Sequence, residues 1–73
     1  MIRENTYLLE PGMFEEHVHE SESTTTLVEG MAELVIQGEK QALSLFKTVH
    51  VPAQTVHRVT NLGQTTARYI CHC

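Results

Sequence analysis

The sequence is poor in features that mark several classes of protein. Its 73 residues include no tryptophan, two prolines and two cysteines, and Cys71 and Cys73 both lie in the last three positions. Cysteines at positions i and i+2 close a very small loop with poor bridge geometry, so no disulfide framework is expected. No apolar run is long enough for a secretory signal or a membrane span, so we expect a cytoplasmic protein with no membrane partner.

Basic residues are also few. The chain carries five Lys and Arg against nine Asp and Glu, a formal charge of −4. The basic residues are scattered, at Arg3, Lys40, Lys47, Arg58 and Arg68. Since no dense basic stripe is available to neutralise phosphates, nucleic acid is not an expected partner.

The remaining composition is that of an ordinary globular protein, with 41% hydrophobic and 19% charged residues. The length predicts a single small domain over residues 1–73. A domain of this size buries only about 60% of the surface that its unfolded chain exposes. Such domains often depend on a metal ion or a partner chain for stability, and we expect one or both here.

Residues that favour β-strands are abundant. Valine, isoleucine and threonine make up about a quarter of the sequence, and turn residues recur at short intervals. The stretch 26–37 also fits helical periodicity, but Gly30 in its middle would cost a helix about 1 kcal/mol. Regularly spaced short strands predict an all-β sandwich or barrel. We predict eight strands, at residues 5–9, 13–19, 24–29, 32–36, 42–46, 49–51, 56–61 and 67–73.

Two histidines in the second predicted strand give the strongest functional signal. His17 and His19 are at positions i and i+2, which puts both imidazoles on one face of a strand, together with Glu15. A third histidine, His57, follows the turn that contains Pro52. If the fold brings His57 to the other two, three imidazoles can bind one divalent ion.

The spacing of these histidines resembles the two sequence motifs of the cupins. Three positions depart from the motifs, because Ser23 stands in place of a glutamate, and Phe46 and Gln54 stand in place of glycines. The resemblance implies a double-stranded β-helix, or jelly-roll barrel, that holds iron, manganese, nickel or zinc in its lumen. It also implies that the ligands are the motif histidines. The positions that match within one residue are Gly12, His17, His19, Gly30, Pro52, His57 and Asn61.

The missing glutamate leaves the ligand set open. Glu15, on the same face as the histidines, and Glu22, beside the vacant position, are candidate replacements, as is Ser23 itself. Without the carboxylate the site is more positive by one charge, which favours a small polar or anionic molecule as its ligand. The residues expected to line the pocket are Thr25, Gln54, Arg58 and Tyr69.

The other histidines and the cysteines are weaker candidates. We expect His50 to lie in the barrel wall or at an interface. Strand alternation directs His72 away from Cys71 and Cys73, which argues against a second metal site, and the sulfurs are expected to fill core or interface space. A barrel this thin has exposed edges, so we predict a homodimer that uses the first and last strands.

Two functions from different classes remain open. In the first, the chain is a metalloenzyme whose ion activates a substrate or dioxygen, by analogy with the three-histidine cupins that are thiol dioxygenases. In the second, it is a module that binds or senses a small molecule without turnover. A metal-free barrel that binds sugars or carboxylates through Arg58, Gln54 and the histidines is a third alternative.

Overall fold

The computed structural model describes residues 4–72, which form eight strands and no helix. This confirms the all-β prediction, while Cys73, at the end of the last predicted strand, lies outside the described residues. The strands are β1 (Glu4–Leu9), β2 (Phe14–His17), β3 (Ser23–Glu29), β4 (Ala32–Ile36), β5 (Glu39–Leu43), β6 (Thr48–Val51), β7 (His57–Asn61) and β8 (Ala67–His72).

The strands form two antiparallel sheets of four, in the orders β1-β8-β3-β6 and β2-β7-β4-β5. Apart from the β4–β5 hairpin, each connection carries the chain from one sheet to the other. Two sheets that exchange strands in this way enclose a lumen between their inner faces. The jelly-roll barrel expected from the sequence is confirmed.

The β4–β5 hairpin is tighter than the sequence suggested. Gln37 and Gly38 alone make the turn, with φ angles of 52° and 81°, and Ile36 pairs directly with Glu39. Two successive positive φ values match the twist of two-residue hairpins. The prediction that β5 begins at Ala42 was therefore wrong by three residues.

The lumen has an apolar end and a polar end. The apolar end is filled by the buried side chains of Leu9, Leu27, Leu34, Val59 and Ala67. Tyr69 lies between the two ends, because its neighbours on the inner face of β8 are Ala67 and Cys71. The polar end contains the side chains of His17, His19, His57, Thr25 and Cys71.

Asn61, the last residue of the second motif, lies at the apolar end and has a structural role. Its side-chain nitrogen donates hydrogen bonds to the carbonyl oxygens of Leu9 at 2.9 Å and Thr65 at 2.8 Å. Its side-chain oxygen accepts a bond from the amide of Gly63 at 2.8 Å. The amide therefore ties the end of β1 and the β7–β8 loop to β7.

The predicted dimer contact can be compared with the sheet order. β8 is paired on both sides, by β1 and β3, so it could pair with a second chain only by a strand swap. β1 lies at the edge of its sheet and remains available. The homodimer itself stays a prediction.

The motif positions explain where the backbone needs glycine. Gly30 has a φ of 84°, and a Cβ there would lie 2.8 Å from the carbonyl oxygen of Thr66. Phe46 and Gln54, which replace motif glycines, adopt φ angles of 65° and 56°. For residues with a Cβ this left-handed conformation costs roughly 1–2 kcal/mol. Both turns therefore have a backbone conformation that favours glycine, although neither position holds one.

Substitution of Gln54 by glycine should therefore stabilise the protein. Gln54 is exposed, so little packing is lost. Relief of the left-handed strain exceeds the added entropy of the unfolded chain by about 0.5–1 kcal/mol. Urea denaturation measures the change in the free energy of unfolding. Gln64→Gly is the matched control, because Gln64 is exposed and does not have a positive φ. This replacement should lower the free energy of unfolding by a similar amount. Equal effects of the two substitutions would contradict the claim that the backbone at Gln54 is strained.

Candidate metal centre

The pairing of β2 with β7 brings the first two histidines together. His17 is the direct partner of His57 in this ladder. Alternation turns both side chains inward while Glu16 and Arg58, also paired with each other, stay exposed. The imidazole centroids of His17 and His57 lie 5.6 Å apart.

His19 reaches the same place from outside a strand. The prediction that β2 extends to His19 was wrong, because the strand ends at His17. The carbonyl oxygen of His19 accepts a 2.7 Å hydrogen bond from the backbone N–H of Gln54, in the turn before β7. This bond holds the imidazole of His19 5.9 Å from His17 and 5.3 Å from His57, measured between ring centroids.

The three rings are close together but do not yet have the geometry of bound ligands. Three imidazoles bound to one ion through nitrogens at about 2.1 Å would hold their centroids roughly 4.5–5.5 Å apart. The observed separations of 5.3–5.9 Å are slightly wider. Within residues 4–72, no three His, Cys, Asp or Glu side chains already form a group that could hold a metal ion.

The environment of His57 favours its neutral form. The ring is 1% exposed, and its Nδ1–H donates to the carbonyl oxygen of Thr55 at 3.4 Å. Burial lowers the pKa of His57 below 6.5, and nearby His19 and His17 lower it further, against the opposing effect of the Thr55 carbonyl. Neutral imidazole is the form that binds metals, and the Nδ1 bond leaves Nε2 as the ligating atom.

His17 is surrounded by hydrogen-bonding and aromatic groups. Its Nε2 lies 3.1 Å from a carboxylate oxygen of Glu15 and 3.2 Å from the hydroxyl of Tyr69. Tyr7 packs against the His17 ring and stacks on Tyr69, with centroid distances of 4.9 and 5.1 Å. Burial, with a smaller contribution from Glu15, raises the pKa of Tyr69, so its hydroxyl remains a hydrogen-bond donor.

Two buried hydroxyls line the lumen on β3. Thr25 is fully buried and Ser23 is 2% exposed. Neither hydroxyl has a hydrogen-bond partner in the part of the chain that the structure describes. Since nearly all buried polar atoms in folded proteins are paired, these two are available to a molecule held in the lumen.

Other residues predicted for the site lie outside the lumen. Glu22 and Gln54 are exposed. Arg58 follows the inward-facing His57 and therefore points outward, where it forms a 3.1 Å ion pair with Glu16 and lies 4.6 Å over the ring of Phe14. The structure brings Glu15 and Tyr69 into contact with His17 and puts Ser23 and Thr25 on the inner face of β3. It leaves Glu22, Gln54 and Arg58 exposed.

Cys71 is the site residue that sequence reasoning missed. Its sulfur lies 3.6 Å from Nε2 of His19, and the residue is 2% exposed. His72 faces outward and contacts Glu4 at 2.9 Å, as alternation predicted. The same alternation puts Cys71 on the face of Tyr69, but only the order of the strands shows that this face meets the histidines.

Comparisons with known proteins agree with this geometry. A family model described as the cupin domain matches residues 5–73, so the chain belongs to the cupin family. None of the curated proteins matches the sequence significantly. Within residues 4–72, no helix is long and apolar enough to cross a membrane.

Several solved structures share the fold. The plu4264 protein of Photorhabdus luminescens superposes with a TM-score of 0.89 at 17% identity, over 97% of this chain and 60% of its own. The cupin domain of an XRE-family transcriptional regulator from Enterobacter cloacae gives 0.88 at 18% identity, over 97% and 78%. A predicted oxalate decarboxylase from Thermotoga maritima gives 0.83 at 18% identity, over 94% and 62%. The chain thus spans about three fifths of the first and third of these proteins.

The lowered pKa of His57 predicts how the stability of the metal-free protein depends on pH. Between the folded pKa and 6.5 the unfolded chain binds more protons at this position than the folded one. The free energy of unfolding should therefore be fully retained above pH 6.5 and fall as the pH drops towards the folded pKa. Urea denaturation with chelator between about pH 5 and pH 7.5 measures this dependence.

The matched variants for this experiment are His57→Gln and His50→Gln. The first should flatten the pH profile, whereas the second, which removes an exposed imidazole, should leave the slope unchanged. A wild-type protein that is equally stable at both ends of the pH range would contradict the prediction.

Proposed function

We propose that this chain is a small cupin that binds a divalent metal ion through His17, His19 and His57. The observation that carries the proposal is the cluster of three imidazoles at the polar end of the lumen, with centroids 5.3–5.9 Å apart. Two histidines on one strand are by themselves weak evidence for a metal site. Three histidines from two distant segments of the chain that meet inside a barrel form the arrangement typical of a metal site.

The residues present fit a divalent ion. The Thr55 carbonyl fixes the tautomer of His57 so that Nε2 is available, as second-shell carbonyls do in metal proteins. In His17 the same nitrogen contacts Tyr69 and Glu15, and in His19 it contacts Cys71, so a bound ion would take the place of contacts that these nitrogens already make inside the lumen. Side-chain rotations that move the rings by a few tenths of an ångström would bring their centroids to the separation expected for three imidazoles bound to one ion.

A divalent ion at this position supplies Lewis acidity to a small molecule bound beside it. The residues around it determine what that molecule can be. Tyr69 offers a hydroxyl that burial keeps protonated, and Ser23 and Thr25 offer two more. Hydroxyl donors around a cation favour a small polar or anionic ligand with several oxygens.

Removal of single histidines should show whether they bind metal. Excess zinc at about 100 times its dissociation constant adds about 2.7 kcal/mol to the free energy of unfolding. For a domain of this size the melting temperature should then rise by roughly 10–20 °C, as measured by calorimetry. His17→Gln and His57→Gln should abolish the rise.

His50→Gln is the matched control, because His50 is exposed on β6, and it should keep the full rise in melting temperature. Chelator should reverse the effect in every protein that shows it. No rise in the wild type, or an equal loss in the His50 variant, would refute the proposed metal site.

The bound metal could serve an enzyme or a module that binds a small molecule without turnover. Solved proteins with this fold include a predicted enzyme and a domain of a regulator. One is a predicted oxalate decarboxylase and another is a domain of a transcriptional regulator. Oxygen uptake by the iron(II) protein with small thiols or diketones, lost in His57→Gln, would identify a dioxygenase. No uptake, together with a melting temperature that responds to a small carboxylate, would identify a binding module.

A further inference from the structure

We propose that Cys71 is a fourth ligand of this metal site and binds the ion as a thiolate. The inference rests on the proposed function, since it assigns a ligand to the same ion. It concerns the position left open by Ser23, which stands where the family motif has a glutamate. The donor set would be three imidazoles and one sulfur.

The distance between Cys71 and His19 is the first observation. The sulfur of Cys71 lies 3.6 Å from Nε2 of His19. Two donors that share a tetrahedral ion, with bonds of about 2.1 Å to nitrogen and 2.3 Å to sulfur, lie roughly 3.6 Å apart. In the metal-free chain this contact is a hydrogen bond between the two atoms, and its length equals the separation of two ligands of one ion.

The sheet order explains how a residue of β8 can replace one of β3. Ser23 and Thr25 share the inner face of β3, and Cys71 is the direct partner of Thr25 in the β3–β8 ladder. The vacant glutamate position and Cys71 therefore lie on adjacent strands and face the same lumen. Ser23 offers no negative charge, whereas a thiolate restores the charge that the motif glutamate would supply.

The hydroxyl of Thr25 is a second and independent observation. It is fully buried, directly opposite Cys71 on the inner face, and without a hydrogen-bond partner among residues 4–72. A thiolate accepts hydrogen bonds more strongly than a thiol, because an ionised acceptor strengthens the bond. As placed, this hydroxyl makes no hydrogen bond to the Cys71 sulfur, and a rotation of either side chain would let it donate to the ionised form.

Metal binding at Cys71 needs no oxidant or reductant. The thiol loses its proton to solvent, the metal–sulfur bond forms, and the site keeps one positive charge. A sulfur ligand favours soft ions such as zinc, cobalt and cadmium over manganese. A tetrahedral ion with four protein ligands has no open position, which favours the non-catalytic alternative.

Cobalt(II) spectroscopy tests the proposal. Cys73→Ser is introduced into every protein, so that Cys71 is the one remaining thiol. This protein should show visible cobalt bands together with a near-ultraviolet thiolate-to-cobalt charge-transfer band. Adding Cys71→Ser should remove the charge-transfer band, keep the visible bands and weaken cadmium binding by at least about tenfold, since the loss of even an outer-shell partner costs that much. Glu22→Gln is the matched control, because this exposed carboxylate lies away from the histidines, and it should keep the charge-transfer band.

The outcomes separate this proposal from the proposed function. Visible cobalt bands without charge transfer in the Cys73→Ser protein would overturn the role of Cys71 and leave the three-histidine site standing. No cobalt binding would overturn both. X-ray absorption of the same protein requires no substitution in the core and should find one sulfur at about 2.3 Å from cobalt; a shell of nitrogen and oxygen alone would overturn the thiolate.

Discussion

The pairing of His17 with His57 across β2 and β7 is the constraint on which the site depends. A slip of β2 by one residue would turn His17 outward and bring Glu16 into the lumen. The register is held from the apolar end of the lumen. There Val59 is fully buried, and Asn61 is tied by its amide to β1 and to the β7–β8 loop.

The division of the lumen into two ends separates stability from chemistry. The apolar end contains the largest share of the aliphatic core, so its packing holds the two sheets together. The polar end contributes imidazoles, hydroxyls and a thiol. Burial of these groups stabilises the fold less than burial of aliphatic groups, and they need hydrogen-bond partners. Tyr69 belongs to both, because its ring packs in the core while its hydroxyl reaches His17.

Local pattern was enough to predict much of the fold and part of the site. Alternation correctly predicted which face His17 and His72 occupy, and the motif spacing predicted that His57 would meet the other histidines. Alternation also excludes Arg58 from the lumen, since Arg58 adjoins His57. The position of Cys71 could not be predicted from a local pattern. It depends on the long-range pairing that puts β8 between β1 and β3. The early start of β5 depends on the backbone of Gln37, a residue seldom associated with such turns.

The three histidines differ in how their backbone is held. His17 and His57 belong to paired strands, whereas His19 follows the end of β2 and is anchored through its backbone to the turn at Gln54. At the proposed metal site, movement of His19 alone would let the coordination sphere expand or contract. Cations of different radius would then be accommodated without any change in how the sheets pack, and one short segment of backbone would set that tolerance.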